Sequence, residues 1–536
     1  MSTPVGLARA LPAGAEQYRA RGLWNNRLLA DGLEAGAVRR PDAPAVVDND
    51  GALTHAALAA AVAAGVGVLA ARGVRAGDAV VLVAGNTRHG VIAYHALLRT
   101  GVTTIVLDRR CGAADLRVAL DAGAPHPRVI MPAGETRRLA EALADAGEVV
   151  PLDLFDEVAV PPGADPAGSP PWREPDRDRA AVVLFTSGTT SRPKGVVHSL
   201  NTLTAGSDNL ALCTSADQDA VVFLVSPLTS ITGLLQLHLT ADRHATLVLE
   251  DRFDAQRTLD RLNAARATVL GGAPVIAERL LRAAATTDPA PGPTGPRGIS
   301  LRTLALGGAM LPRPLLELAT DSFGIDIARV YGSTEAPTFA GSLPADPRER
   351  RLADDGALLP GGEVRLGSQQ HPQEGLLRGP CLFLGYLDPA DDAVAFEDGW
   401  FRTGDQLELH DGRVTVVGRL KEVVSRNGLK ISISEVEATL ADLPGVEEAA
   451  AFGMPDSTTG ERLAVAVVAA DGATVTLADV VAHLLGHGTA TRKLPEQLVR
   501  WDGPLPRTAS GKVVRSRLVM ETPGKDSDLG ARLAAE

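Results

Sequence analysis

The stretch TSGTTSRPKG, residues 186–195, follows a short apolar run, AAVVLF at 180–185, that reads as a buried strand. Hydroxyl side chains, two glycines and a lysine then succeed one another without a bulky apolar residue until Val196. Such a loop brings backbone N–H groups, hydroxyls and positive charge close to phosphate oxygens. A segment rich in Ser, Thr, Gly and Pro is more often a plain surface loop. Lys194 tips the balance toward phosphate, because it adds the charge a polyphosphate needs. The order GxxxxGK[ST] of the P-loop is absent here.

Outward from this loop, strand-like and helical patterns alternate. Residues 79–84 (AVVLVA) read as a strand, 92–98 (IAYHALL) as a helix stopped by Gly101, and 103–107 (TTIVL) as the next strand. This order predicts an α/β fold with doubly wound, largely parallel sheets. A second such pattern follows, with strands at 220–225, 245–249 and 268–271 and a helix at 255–264. Residues 161–179 read as a surface linker and 288–298 as a Pro/Gly-rich loop. Turn residues and short strands over 361–418 predict a small β subdomain. Residues 421–536 suffice for a small separate α+β domain, and the tail from 521 reads as polar and frayed.

A chain of 536 residues exceeds what one hydrophobic core serves. Its net charge of −12 and pI near 5.5 speak against nucleic acid as a partner. Cys111, Cys213 and Cys381 lie far apart without CxxC or Cys/His spacing, which argues against disulfides and structural zinc and for a reducing cytoplasm. Each thiol reads as a small buried apolar group. The N-terminus shows no basic region leading into an apolar core, as a secretory signal would. The run at 56–71, made of Ala, Gly, Val and Leu, is too short and too weakly apolar to span a membrane and reads as a buried helix ending at Gly73.

Four further segments stand out. TLALGGA, 303–309, reads as a strand ending at Gly307, Gly308 and Ala309, which leaves room for a flat ring beside the backbone; paired glycines alone more often mark a turn. VYGSTE, 330–335, groups an aromatic, hydroxyls and a carboxylate: Tyr331 suits stacking on a base, Thr334 a phosphate hydrogen bond, Glu335 a magnesium ion. GWFRTGD, 399–405, ends in Asp405, whose carboxylate can accept from both hydroxyls of a ribose, though an Asp in a turn is commonplace. PRTASGK, 506–512, sets Lys512 on a glycine-containing loop; alone, such a lysine is usually a solvated charge.

Together with GRLKE, 418–422, and in this order, these segments resemble the adenylate-forming superfamily of acyl-CoA synthetases, peptide-synthetase adenylation domains and luciferases. The resemblance covers almost the whole chain, in family order and at roughly family spacing. It implies an N-terminal adenylate-forming domain over 1–420 and a mobile C-terminal domain over 421–536, hinged near Lys421. It implies an enzyme that uses ATP, Mg2+ and CoA to convert a carboxylic acid to acyl-AMP and then to a thioester. By the resemblance, Thr186, Ser187, Gly188, Thr189, Thr190 and Lys194 contact the pyrophosphate end of ATP. Gly307, Gly308, Ala309, Tyr331 and Gly332 frame the adenine, Thr334 meets the α-phosphate, Glu335 the magnesium, and Asp405 and Arg419 the ribose. Lys512 bridges the substrate carboxylate and the α-phosphate. Rotation of the C-terminal domain then withdraws Lys512 and brings the Gly428–Lys430 loop to the thiol.

Three positions depart from the pattern: Ser191 replaces a glycine, Ile433 stands where proline is usual, and Ser230 falls on the histidine of a Pro-x-x-His-x-Thr-Gly segment. In the family that segment gates the acyl pocket, so a smaller Ser230 suggests a bulky, cyclic or medium-chain acid; a neutral substitution is the alternative. The absence of Asp and Glu between Val225 and Ala241 argues against an amino-acid substrate. The start of the chain and Ile231-Thr232-Gly233 look nearest to cyclohexanecarboxylate-CoA ligases and aryl-acid adenylating enzymes. Expected pocket residues are Ser230, Ile231, Gly233, Gly271, Gly272, Ala273, Leu306 and Ser333. Two other readings stand beside the CoA ligase: a stand-alone enzyme loading the phosphopantetheine of an acyl- or peptidyl-carrier protein, and an enzyme performing one half-reaction only.

Overall fold

The computed structural model describes residues 11–12, 14–26, 29–123, 127–155, 177–186, 193–286, 298–308, 311–420, 422–426, 429–508 and 511–530. The fold is α/β, with a large N-terminal domain and a small C-terminal one. Among the described residues there are three sheets, of fourteen, seven and six strands. In the largest, Asp326–Tyr331, Thr303–Gly307, Val269–Gly272, Val221–Leu224, Thr246–Leu249 and Pro44–Asp48 run parallel. The sheet continues antiparallel through Ala340–Gly341, Ala357–Leu358, Arg413–Arg419, Trp400–His410 and Glu374–Arg378 to Glu363–Leu366. These last strands are the β subdomain expected over 361–418. The seven-stranded sheet holds Thr103–Asp108 between Ala79–Ala84 and Val182–Thr186, all parallel.

Buried residues of both large sheets, Leu82 and Leu184 on one, Val222 and Leu247 on the other, share one core. The helices His55–Ala71, Arg88–Thr100, Leu200–Thr214 and Ile231–Arg243 contribute to it. These strands are buried on both faces, which is why they read as unbroken Val, Leu and Ile runs. The helix before the second strand stops as expected: Gly101 is left-handed, φ 80°, and its N–H returns to the last turn. No helix among the described residues is long and apolar enough to cross a membrane. All three cysteines are buried, and burial pushes their thiols up, to about 11 at Cys111 and about 12 at Cys213 and Cys381.

Two sequence expectations need correction or fall outside. The tail is ordered through Leu529: Ser527–Leu529 pairs with Gln497–Arg500, Asp528 takes the Arg500 guanidinium at 2.7 and 2.9 Å, and Thr522 is buried. Its charges meet tertiary partners, which a reading of local polarity does not show. Most of the linker at 161–179 and the loop at 288–298 lies outside the described residues.

Strands bearing the motif residues are tied together by buried ion pairs. Arg413, 9% exposed, bonds Asp354 at 2.7 and 2.8 Å and Asp346 at 3.1 Å. Arg329, on the strand Asp326–Tyr331, holds Asp355, whose other oxygen accepts from the Val416 N–H at 2.8 Å. Burial raises the Asp354 carboxyl, but the bonds from Arg413 and the Gly356 N–H outweigh it, and its pKa is net lowered. Arg413→Met should therefore cost about 3–5 kcal/mol, because two carboxylates lose their counter-charge. Since the folded pKa of Asp354 is depressed, its contribution is full above the ordinary carboxylate range and is lost as pH falls through the folded value. Urea midpoints measured across pH should thus show a shallower acid limb in Arg413→Met; an unchanged profile would refute this role.

Candidate active site

Two strand ends and the middle of a third strand bring together the residues expected to meet the nucleotide. Asp405 and Arg419 are register partners on adjacent antiparallel strands, and Tyr331 ends the parallel strand Asp326–Tyr331. Asp405 is 4% exposed and accepts from the Tyr331 hydroxyl at 3.1 Å through Oδ2. Its Oδ1 lies 2.8 Å from Arg419 Nε, an ion contact too bent to count as a hydrogen bond, so this buried oxygen keeps its acceptor capacity. Burial pushes the Asp405 carboxyl upward against the pull of Arg419; the guanidinium is in turn raised by Asp405. Burial and Asp405 together push the Tyr331 phenol well up, so it remains a neutral donor. A buried carboxylate with one free acceptor fits a ribose diol.

The phosphate end is built on the hairpin whose strands are Val182–Thr186 and Lys194–His198. Thr186 and Lys194 face each other across it, and Ser187, Gly188, Thr189 and Thr190 between them lie outside the described residues. A side chain at Gly195 would meet Leu387 at 2.3 Å, so glycine lets Gly385–Tyr386 pair alongside. Lys194 Nζ sits 2.8 Å from Asp391 Oδ1 and 4.8 Å above the Tyr386 ring. The Tyr386 hydroxyl donates to Glu335 Oε1 at 2.8 Å. Burial and the Glu335 carboxylate raise this phenol, which again remains a donor. The Glu335 carboxylate offers hard oxygen donors, which suits Mg2+. His198 Nε2 is 2.7 Å from the Thr334 carbonyl, which can only accept, so Nε2 carries the proton and Nδ1 faces the Thr202 hydroxyl at 3.0 Å. Burial lowers His198 to about 4, so it is neutral and fixed in this tautomer.

Gly307 and Gly308, expected beside the adenine, both sit where a side chain is disfavoured. A Cβ at Gly307 would meet the Val330 carbonyl oxygen at 2.2 Å, and Gly308 adopts φ 76°. Gly332 is equally confined, 2.6 Å from the Ala336 oxygen; Ala309 lies outside the described residues. Lys512 reaches this site from the C-terminal domain. Its loop is pinned by Thr508 N–H to Lys512 O at 2.7 Å and Gly511 N–H to Thr508 O at 2.9 Å, with Gly511 at φ 86°. Lys512 Cε comes within 3.9 Å of where a Gly308 Cβ would stand. The side chain is exposed to the open cleft, yet enough protein surrounds it that desolvation, with repulsion from Arg419, lowers its pKa. Glu422, Asp405 and Glu335 pull the other way. Across the same crevice Glu448 binds Arg279 at 3.0 Å and Arg507 at 2.9 Å. Lys421 and Gly428 lie outside the described residues, and of Lys430 only the backbone, paired with Ser425, is described.

On the acyl side, Ser230 is the N-cap of Ile231–Arg243: its Oγ accepts from Gly233 N–H at 3.1 Å and donates to the Pro227 oxygen at 2.7 Å. Its hydroxyl thus has a local task that histidine would not perform in the same way. A Cβ at Gly233 would meet the Pro227 oxygen at 2.2 Å. Ser333 likewise accepts from Ala336 N–H at 3.3 Å. Leu306 is not brought to this side. Strand alternation sends Leu304 and Leu306 into the core with Leu280 and Phe323, whereas Ala305 faces the core that holds Leu234 and Leu235. Ser226, Ala273 and Ile276 line the crevice that Arg279, Arg507 and Gly511 share.

Sequence reading passed over Gln236, His198, Tyr386 and Asp391. Gln236 is 2% exposed; its amide packs on Gly271 at about 3.0 Å from a Cβ position, and Nε2 faces the Thr232 and Gly271 oxygens at 3.1 and 3.4 Å. Its Oε1 has no hydrogen-bond partner among the described residues. A glutamine within the leucine run 234–237 was the visible signal. Tyr386 and Asp391 offered none, since their partners are remote in sequence.

Residues 33–387, well over half of the chain, match the family model for the AMP-binding enzyme, and residues 435–512 match its C-terminal domain. The chain belongs to the AMP-binding enzymes. Among relatives of this AMP-binding enzyme is an oxalate–CoA ligase of Arabidopsis thaliana, 31% identical over 518 residues, covering 90% of this chain and 96% of that one. Another is a Streptomyces salicylyl-CoA synthase/salicylate adenylyltransferase, 30% identical over 555 residues, 96% and 98% covered. The crystal structure of ATP-bound MatB from Rhodopseudomonas palustris superposes with a TM-score of 0.79 at 26% identity, covering 92% and 98%. The enzyme is an AMP-forming acid–CoA ligase: it activates a carboxylic acid with ATP and Mg2+ to acyl-AMP and pyrophosphate, then transfers the acyl group to CoA.

His198 supports this chemistry at one remove, by holding the Thr334 backbone. His198→Ala should lower ATP–pyrophosphate exchange by roughly a hundredfold, the scale of an ångström-sized misplacement. Because His198 is neutral far below physiological pH, the wild-type and variant pH profiles between 6 and 9 should be parallel. A new inflection in that range, or undiminished exchange, would contradict the positioning role.

Proposed function

We propose that Lys512, Thr334 and Glu335 carry the first half-reaction, with the domain boundary and hinge at Lys421. The observation that supports this most is the convergence of Lys512 on Gly308, Asp405, Arg419 and Glu335. A carboxylate oxygen attacks the α-phosphorus, the bond to the bridging oxygen breaks, and pyrophosphate leaves. No proton moves, because a carboxylate is already ionised at neutral pH. The obstacle is electrostatic, and fixed positive charge at the developing anion lowers it. Glu335 would hold Mg2+, which supplies charge neutralisation at the phosphate oxygens. Lys194 would exchange Asp391 for the pyrophosphate end, with Thr186, Ser187, Gly188, Thr189 and Thr190 beside it. Tyr331, Gly307, Gly308, Ala309 and Gly332 would frame the adenine, and Asp405 with Arg419 the ribose. In the second half-reaction the thiol sulfur attacks the acyl carbon, AMP leaves, and the thiol proton passes to solvent. For that step the C-terminal domain rotates, withdrawing Lys512 and presenting the Gly428–Lys430 loop. We place the enzyme in the cytoplasm.

For the acid, we propose a compact cyclic carboxylate without an amino group but with a hydroxyl. The pocket would lie between the first turns of Ile231–Arg243 and the strand end at Gly271 and Gly272, with Ser230, Ile231, Gly233 and Ser333 at its rim. Gln236 supports the hydroxyl: its NH2 is engaged by two carbonyls while Oε1 has no donor among the described residues, and leaving a buried acceptor unpaired costs about 1–3 kcal/mol. A substrate donor would recover that energy. The similarity to a salicylate-activating relative points the same way.

Purified enzyme, ATP and Mg2+ with hydroxylated and unsubstituted ring, medium-chain and dicarboxylic acids, with and without CoA, tests the reading by mass spectrometry. Acyl-CoA from hydroxylated ring acids is expected. Acyl-AMP that accumulates despite CoA would favour a carrier-protein phosphopantetheine as acceptor. Gln236→Leu should lower kcat/KM for hydroxylated acids by about tenfold to a hundredfold relative to their unsubstituted counterparts. An equal change for both would remove Gln236 from specificity.

A further inference from the structure

Two helices on the C-terminal sheet, Ile433–Leu440 and Leu477–Gly486, meet at their C-terminal ends. His483 lies in the last turn of the second and His487 is its C-cap residue, so both imidazoles project from one side. Their ring centroids are 4.3 Å apart. Asp442, two residues past the first helix, stands between them: Oδ1 is 2.9 Å from His483 Nε2 and Oδ2 is 3.8 Å from His487 Nε2. Among the described residues this is the one group of three histidine, cysteine or carboxylate side chains whose ligand atoms all lie within 4.8 Å of one another.

The orientation of His487 is fixed by a backbone carbonyl. Its Nδ1 is 2.9 Å from the His483 oxygen, which can only accept, so Nδ1 carries a proton and Nε2 turns toward the Asp442 carboxylate. Metal-bound histidines are commonly oriented in this way, one ring nitrogen donating to the backbone and the other facing the ion. His483 Nε2 faces two acceptors, the Thr439 carbonyl and Asp442 Oδ1, each at 2.9 Å. A positive centre has to lie between such groups, either a proton or a metal. Two further facts favour a cation here. The negative ends of two helix dipoles converge on the spot, and the side chains of Asp442 and His487 are 51% and 48% exposed, so an ion can enter from solvent.

We propose that Asp442, His483 and His487 form a binding site for a divalent transition metal of the zinc type, with water completing its coordination. Two imidazoles and one carboxylate suit borderline ions and select against Mg2+, which prefers an all-oxygen shell. Binding puts the ion where the Nε2 hydrogen of His483 stood, the ring proton passing to Nδ1, and joins the ends of the two helices. None of the three residues belongs to the adenylating constellation, so the site acts as a clasp on the C-terminal domain.

The test uses the full chain, stripped with a chelator and kept in excess Mg2+ to saturate oxygen-rich sites. Calorimetric titration with Zn2+ should show one equivalent more for wild type than for His487→Ala. Asp442→Asn should weaken that equivalent at least about tenfold. Co2+ added to wild type should give visible absorption that both substitutions abolish. Both positions are half exposed, so the variants should fold and retain ATP–pyrophosphate exchange. Superimposable Zn2+ isotherms for wild type and His487→Ala, or a Co2+ spectrum unchanged by either substitution, would overturn the proposal and leave the cluster as a hydrogen-bonded helix contact.

Discussion

The carboxylate of Asp405 is held out of water between the Tyr331 hydroxyl and the Arg419 guanidinium, and the cleft proposed for adenylation is arranged around it. A buried charge is tolerated only when it is paired and hydrogen-bonded. Asp405 meets that condition by sitting opposite Arg419 in a strand pair and below the end of the strand that carries Tyr331. The pairing in turn positions the positive charge of Arg419 beside Lys512. Two cations facing one cleft repel, and this repulsion adds to desolvation, the larger cause, in lowering the pKa of Lys512. A triphosphate entering the cleft would relieve the repulsion, so binding and charge placement reinforce each other. The same field that lowers the Lys512 pKa is the one available to stabilise an adenylating transition state.

Precision of this cleft comes from the sheets beneath it. The Arg413 and Arg329 ion pairs lock the antiparallel strands of the β subdomain to the parallel core, so Asp405, Arg419 and Tyr331 cannot drift independently. Glycines supply the close approaches: Gly307 against the Val330 carbonyl and Gly195 against Leu387 admit no side chain without displacement. Across the crevice, Glu448 binds one arginine from each domain, Arg279 and Arg507. That shared carboxylate holds the C-terminal domain where Lys512 can reach the ATP site, and its partly exposed bonds are of the kind a rotation can break and remake.

Much of this was legible in the residue order, and the boundaries of that legibility are physical. The strands 79–84, 103–107 and 303–307 declared themselves by unbroken apolar runs, because sheets covered on both faces demand them. Asp405, Arg419, Tyr331, Glu335 and Lys512 stood out because each falls in one of the ordered segments that resemble the adenylate-forming superfamily, and the structure brings them to one cleft. Contacts between distant segments were invisible. Tyr386 reaches Glu335 across 51 positions, and His198 reaches Thr334 across 136. Leu306 shows how a strand punishes an error of parity: one residue along, the side chain lies in the opposite core. Ser230 reads as a missing gate histidine, while in the fold its hydroxyl caps a helix.

The claim at the centre of the account is that Lys512 serves the first half-reaction and leaves before the second. The direct measurement separates the two in Lys512→Ala: ATP–pyrophosphate exchange with an accepted acid, and thioester formation from the synthetic acyl-AMP and CoA. Exchange should fall by at least about a thousandfold, the scale on which a preorganised charge acts, while thioester formation from the preformed adenylate should stay within severalfold of wild type. Equal loss of both activities would contradict the assignment of Lys512 to one conformation of a two-conformation cycle.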